Sequence, residues 1–569
     1  MCLRALGMPN EQIGSGTAEL ENTFRSVSRD RRLLVVLDEV TEPGHVRSLT
    51  SKGEGSIVLA TSNRRLGELA LRDVELVELD VFDPAAAKEL LGELCGHAAV
   101  DADPDSAGRL AELCGGLPTA LRIAAARLHS DRLTLAQLAD ELADERRRLG
   151  RLTVQGTNST GVSATLSLAY RDQTEPAARL YRVLGDLPGV SFDSGVVAAA
   201  AVLDTETSTR LLTALSGAHL VHRADDGRYQ LHTLVRLHAQ ETARKTDPPE
   251  TERQIVQRVT THYLALVTLA DLTVRADRLR ILDIGEVLQQ PADRIDTLVR
   301  HSPFAVSDTP DRDAIGWLEA ERPNLMAVLR AAVRFGFDRQ AWQLAEALTV
   351  LFLHHRHLVD WRESLALGAD AAHQDHQPAA EARLRSMLSR PLLDLRQDDR
   401  ALAELEAATD LADRSGHPVL PGSVREFLGR YWDRRDPERA AAAYRESLEL
   451  NQRAGEARGA ALARYFLGRA LLVAADGADG VPERNADGSR AAEAERELRA
   501  VHEEFLGLTG VDGKPAPDRR MAARAPADLG RAQARIGATR NARAMQGRAI
   551  EALVELTEDS GEQRQLLVL

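Results

Sequence analysis

Apolar residues run unbroken from Leu33 to Leu37 and stop at two carboxylates, Asp38 and Glu39. A short continuous run of this kind is the pattern of a parallel core strand whose carboxyl end opens into a site. A second run, Ser56 to Thr61, follows the breaker Glu42-Pro43-Gly44. Two such strands joined by a short helical crossover predict a parallel sheet. Val74 to Leu79 alternates and predicts a third strand at a sheet edge. Residues 18–31 predict a helix leading into the first strand. At Asp83-Pro84 the period changes from strand to helix, with Asp as N-cap and Pro at the first helical position. The helical pattern holds to about residue 150, broken by Gly115-Gly116-Leu117-Pro118. Residues 151–163 are rich in Thr, Ser, Gly and Asn and read as a linker.

The next block is short-range and mixed. Helices are predicted over 176–186, 193–203 and 206–217, then strands over 219–223 and 228–232 about the turn Asp225-Asp226-Gly227. Three helices and a two-strand wing describe a winged helix. Pro248-Pro249 marks a boundary, and helices follow to about 375. Beyond that the chain rhymes with itself. Leu428-Gly429-Arg430 returns as Leu467-Gly468-Arg469, 39 residues later, and again at Leu529-Gly530-Arg531. Arg414-Ser415-Gly416 returns as Arg453-Ala454-Gly455, and Asp559-Ser560-Gly561 closes that series. The spacing is close to the roughly 34-residue helix pair of tetratricopeptide repeats. In such pairs glycine lets helices approach, and residues such as Ala440 and Tyr444 fill the joint.

Composition narrows the class. The 569 residues are enough for several domains, 44% hydrophobic residues supply cores, and 4% aromatics with 28% charged residues point to a helix-rich protein. A net charge of −14 disfavours a large nucleic-acid surface. Cys2, Cys95 and Cys114 have neither metal nor disulfide spacing, so the expected compartment is the cytoplasm. No apolar run reaches the roughly 18 residues of a membrane helix.

The candidate chemistry sits at strand and helix ends. Asp38 is placed to hold Mg²⁺ and Glu39 to polarise water, as in phosphoryl-transfer sites. Such a site also needs G-x-x-x-x-G-K-[ST], whose main-chain N–H groups and lysine cradle phosphate. The first lysine here is Lys52, and Gly513-Lys514 is followed by Pro515, so the sequence holds no such loop. Asn63 and Arg64 end the second strand, where a polar group can sense a γ-phosphate. Gly116, Leu117 and Pro118 form a tight turn with a rigid apolar face suited to an adenine. His232 stands at a helix start, where it can donate to a phosphate.

The order of these features resembles the NB-ARC class of STAND signalling NTPases. It is most similar to actinobacterial regulators in which that module is followed by tetratricopeptide repeats. The matching text is LLVVLDEV, SIVLATSNRRL, LCGGLPTALRIAAARL, GRYQLHTLVRLHA and WLEAERPNLMAVLRAA. The resemblance implies Asp38 at the Mg²⁺ position, Glu39 at the water-activating position, and Asn63 or Arg64 as sensor. It implies Pro118 against adenine and His232 on the β-phosphate of ADP, locking a closed state. Where the family has Thr-Ser-Arg this chain has Thr61-Ser62-Asn63 and then Arg64; Thr233 stands where an Asp often follows the histidine.

The expected fold class is mainly α with a partial α/β NTPase fragment. The expected domains are a partial NTPase over 1–82 without the phosphate loop, a helical domain with the GLPT turn over 83–165, a winged helix over 166–245, a helical linker region over 246–330 and repeats over 331–569. The expected function is a degenerate or truncated adenine-nucleotide switch coupled to partner-binding repeats, in signalling or transcriptional regulation. Affinity for ADP or ATP with Mg²⁺ is expected to be weak or lost, and hydrolysis absent. Two alternatives stay open: a non-catalytic repeat scaffold, or the C-terminal part of a split DNA-binding regulator. The expected partner is a protein or peptide on the concave face of the repeats. The apolar strands are expected to leave a bare sheet prone to self-association, and neither DNA nor membrane is an expected partner of this chain.

Overall fold

A computed structural model describes residues 17–38, 43–50, 55–62, 74–77, 79–130, 132–143, 162–224, 226–290, 308–433, 435–476, 487–509 and 518–536, with isolated residues between them. The chain divides into two compact units, Met1–Val259 and Thr260–Leu569. The fold is mainly helical.

The first unit opens with helix α1 (Thr17–Ser28), strand β1 (Leu34–Leu37), the short helix α2 (Pro43–Ser48) and strand β2 (Ile57–Ala60). The strands pair in parallel, Leu34 opposite Ile57 and Val36 opposite Leu59. One face of the pair packs Leu37, Val58 and Ala60 on Val40 and Val46. The other face is bare: Leu34 is 70% exposed, Val36 58%, Ile57 63% and Leu59 56%. The predicted third strand does not form. Residues 74–77 and 79–82 are exposed and carry no ladder. Alternation alone does not make a strand without a neighbour to accept its main-chain hydrogen bonds.

Five helices follow: α3 (Pro84–Cys95), α4 (His97–Ala102), α5 (Pro104–Leu113), α6 (Pro118–Ser130) and α7 (Leu135–Ala143). Asp83 caps the first as its sequence predicts, accepting from the N–H groups of Ala85 and Ala86 at 2.9 and 2.8 Å. Leu91, Leu110, Leu121, Leu138 and Leu142 close a common core. Then come α8 (Val162–Arg171), α9 (Glu175–Gly185), β3 (Ser191–Phe192), α10 (Ser194–Ala201), α11 (Thr205–Gly217), β4 (His222–Arg223), β5 (Tyr229–Gln230) and α12 (Thr233–Thr246). The hairpin strands are shorter than predicted. They form a three-stranded sheet in the order β3-β5-β4, because Ser191 and Phe192 add a strand that the sequence pattern hides.

A buried polar network ties α8, α9 and α12 together. Tyr181 donates its hydroxyl to the Val235 carbonyl at 3.1 Å and meets His238 Nδ1 at 2.9 Å, while Ser167 Oγ meets Nε2 at 3.0 Å. Burial holds the His238 imidazole below its ordinary pKa, with Lys245 adding to the shift and Glu241 opposing it. The folded unit therefore binds fewer protons than the unfolded chain at mildly acid pH. Its stability is expected to be full above about pH 6.5 and to fall as pH drops below it. Calorimetry from pH 8 to 5 reads this. A His238→Gln variant should lose the slope; an unchanged slope would assign it to other groups.

Helix α13 (Thr251–Arg275) spans the boundary between the units. The second unit continues with α14 (Ile284–Leu288), α15 (Pro310–Arg334), α16 (Asp338–His354), α17 (Leu358–Gln374), α18 (Pro378–Asp394), α19 (Asp398–Arg414), α20 (Leu420–Trp432), α21 (Pro437–Ala454), α22 (Ala457–Asp476), α23 (Asp487–Leu506) and α24 (Arg519–Arg535). From α15 onward each helix packs on the next, as in an α-solenoid of tetratricopeptide-like pairs. Several turns share one device. Gly336, His376, Arg396 and Gly455 take positive φ, and the next residue donates back to the helix: Phe337 to Ala332, Gln377 to Ala372, Gln397 to Leu392 and Glu456 to Asn451, each at 2.9 Å. Two of the echoed glycines sit at helix crossings. A Cβ on Gly429 would enter the Tyr444 ring, and one on Gly468 would enter Leu498. Gly530 is buried in α24. The echo at Gly561 lies outside the described residues.

Candidate functional site

Asp38 follows the last residue of β1, and Thr61 follows the last residue of β2. The parallel register brings them level. The Thr61 hydroxyl donates to Asp38 Oδ1. The Val40 N–H donates to the Thr61 carbonyl at 2.8 Å, and Ser62 Oγ donates to the Val40 carbonyl at 2.6 Å. The two strand ends are thus cross-bonded. Asp38 and Thr61 are both exposed hard oxygen donors, the set that Mg²⁺ takes with water completing its shell. Glu39, Asn63 and Arg64 lie outside the described residues.

The turn between α5 and α6 carries the other half. Gly115 and Gly116 are consecutive left-handed residues, φ +62° and +67°. The Gly116 N–H returns to the Ala111 carbonyl at 3.2 Å, which ends α5. Pro118 is the first residue of α6, and Leu117 packs against the helical core. The Phe82 N–H donates to the Gly116 carbonyl at 3.0 Å, and a Cβ on Gly116 would run into the Phe82 carbonyl. The second glycine is needed for close approach as well as for its φ.

His232 meets this turn. It is the N-cap of α12, its Nδ1 accepting from the Leu234 N–H at 3.2 Å. That bond places the ring proton on Nε2, which donates to the Gly115 carbonyl at 2.5 Å. A Cβ on Gly115 would occupy the imidazole. The contact joins residues 117 positions apart and docks the start of α12 on the α5–α6 turn. The structure therefore forms two separate pairs around the predicted residues: Asp38 with Thr61, which the sequence reading did not pick, and His232 with the glycine turn. The sequence reading picked Gly116, Leu117 and Pro118 and missed Gly115, the residue that accepts from His232. The adjacent double glycine was the available signal.

A second cluster lies in the repeats. Glu319 on α15 accepts from His357 Nε2 at 2.9 Å and has His355 Nδ1 at 3.9 Å, just beyond the end of α16. Burial pushes the Glu319 carboxyl up, but the hydrogen bond from His357 and the charges of His357, His355 and Arg322 outweigh it and hold the pKa low. Arg322 stands 3.6 Å from the same carboxylate, so the acid already has its countercharge.

No family model matches the chain. It is 32% identical over 478 residues to "Regulatory protein AfsR" of Streptomyces griseus, covering 83% of this chain and 47% of that protein. To the protein of the same name from Streptomyces coelicolor it is 33% identical over 419 residues, 72% of this chain and 40% of that protein. The chain spans less than half the length of these curated relatives. Among solved structures, a STAND protein with a tetratricopeptide repeat sensor from Pyrococcus horikoshii aligns over 98% of this chain and 86% of its own, at 13% identity and a TM-score of 0.32. BtubC from P. vanneervenii covers 42% of this chain and 92% of its own, at 16% identity and 0.34.

Proposed function

We propose that this chain is a STAND-type regulatory switch, in which a weak adenine-nucleotide module is coupled to repeats that bind a protein or peptide. The module comprises the partial NTPase sheet, the helices with the GLPT turn and a winged helix ending at His232. The observation that carries the reading is the His232 bond to Gly115. A histidine at a helix start, with its proton directed at a turn that ends in Leu117-Pro118, is placed to exchange a carbonyl for a phosphate oxygen. Docked on Gly115, it clamps two elements; drawn to a β-phosphate, it would trade that clamp for the nucleotide. Such a choice between two packed arrangements is a population shift. Mg²⁺, when bound through Asp38 and Thr61, supplies charge neutralisation for the phosphates. The similarity to regulatory proteins supports the regulatory half of the reading.

ADP with Mg²⁺ at about ten times its dissociation constant is expected to stabilise the chain by about 1.4 kcal/mol. His232→Ala should remove that gain, read by thermal unfolding with and without nucleotide. If up to 10 mM nucleotide leaves both proteins unchanged, the switch reading fails. The scaffold reading then stands. It is favoured independently by the bare apolar face of the β1–β2 pair, which lacks a third described strand.

A further inference from the structure

Between α13 and α14 the chain makes an irregular passage, residues 276–283, across one row of repeat helices. Its bonds are those of a bound peptide. Glu346, buried on α16, accepts from two successive main-chain N–H groups, Ile281 to Oε1 and Leu282 to Oε2, both at 2.9 Å. Arg383 on α18 donates to the Leu279 carbonyl at 3.2 Å and to Ser423 Oγ on α20 at 3.1 Å. Ile281 packs against the apolar cluster formed by Ala382 of α18, Ala408 and Ala412 of α19, and Leu420 and Val424 of α20. Asp277 pairs with Arg458 of α22 at 3.1 Å. Four alternate helices, α16, α18, α20 and α22, thus touch one stretch of six residues. They also touch one another in sequence along the row, which makes a continuous surface.

Two features separate this passage from an ordinary connector. First, Glu346 and Arg383 hold main-chain groups, which any extended peptide offers. Second, the fit is unsaturated: Nε of Arg383, the guanidinium that donates to the Leu279 carbonyl, is buried and has no acceptor. A ligand with one more carbonyl or hydroxyl there would be held better than the segment itself.

We propose that residues 277–282 are a built-in occupant of the repeat groove, and that its regulatory ligand is an extended basic–apolar peptide that displaces them. The ligand presents two successive N–H groups to Glu346, a branched apolar side chain to the Ile281 site and a carbonyl to Arg383. This deepens the reading that the repeats bind a partner and rests on it. The tether sets the threshold, since a linked segment competes at an effective concentration of about millimolar.

The test uses the full chain and a fluorescent peptide with the sequence of residues 276–284. Ile281→Pro deletes one N–H that Glu346 accepts and weakens the internal occupant. Anisotropy is expected to show binding at least about tenfold tighter than to the unsubstituted chain. Adding Glu346→Gln should reverse that gain. Equal affinities, or no binding to an Ile281→Pro protein whose circular dichroism is native, would overturn the proposal. Should that variant not fold, hydrogen exchange on the unsubstituted chain decides. The Ile281 and Leu282 amides are expected to exchange through a local opening, well before those in the middle of α16. Exchange only at the rate of global unfolding would show that the segment does not leave. A repeat-binding partner captured equally by both forms would overturn this inference and leave the repeats as a partner surface.

Discussion

Asp271→Ala is expected to destabilise the unit of residues 260–569 by about 3–5 kcal/mol, the cost of leaving buried charge unpaired. Asp271 is fully buried on α13. It accepts from Arg278 Nε and Nη2 at 3.2 and 2.8 Å, and from Arg280 Nε at 2.6 Å. Arg280 also donates to the carbonyls of Asp271, Arg275, Ala276 and Arg278, most of them at the carboxyl end of α13. One carboxylate therefore holds two guanidinium groups: Arg280, which caps the end of α13, and Arg278, which reaches the Glu346 carbonyl. Removing it strands both in a low-dielectric site. Asp271→Asn keeps an acceptor and should cost less. The measurement is direct, because all four tryptophans, Trp317, Trp342, Trp361 and Trp432, lie in this unit. Urea unfolding followed by their fluorescence reads it without interference from residues 1–259. A loss below about 1 kcal/mol, the range of exposed ion pairs, would mean that the two arginines reach water.

Gly429→Leu should cost about 3 kcal/mol by overpacking in the same assay. A Cβ there would lie 2.5 Å from Tyr444 Cε1, well inside contact distance. Tyr444 has little room to withdraw. It is fully buried, donates its hydroxyl to Asp433 at 3.0 Å and stacks on Phe466 with centroids 5.7 Å apart. α20 and α21 would have to separate. Gly316 provides the contrast, an exposed position in α15 where an added methyl would meet nothing within 4 Å. Gly316→Ala is expected to stabilise by about 0.5–1 kcal/mol, the helix-propensity difference alone. Equal effects of the two substitutions would refute the close-crossing account of Gly429.

The sequence by itself determined what is decided within a turn or two of chain. Asp83-Pro84 starts a helix because an acid and a proline satisfy local N–H groups, wherever the helix later packs. The parallel pair β1–β2 follows from two apolar runs and a crossover. The 39-residue echo of Gly429 at Gly468 announces helix pairs, because each pair needs a small residue where its axes cross. Tertiary structure alone decided the long-range partners. Nothing near His232 specifies that its Nε2 proton goes to Gly115, and nothing near Glu346 specifies the amides of Ile281 and Leu282, 65 and 64 positions away. Val74 to Leu79 carries a strand pattern and its described residues form no ladder, whereas Ser191-Phe192 carries none and pairs with β5. Local signals report the period and capping of one element. Which donor meets which acceptor depends on the path of the chain between them, and a buried polar group is satisfied by whatever that path brings within reach.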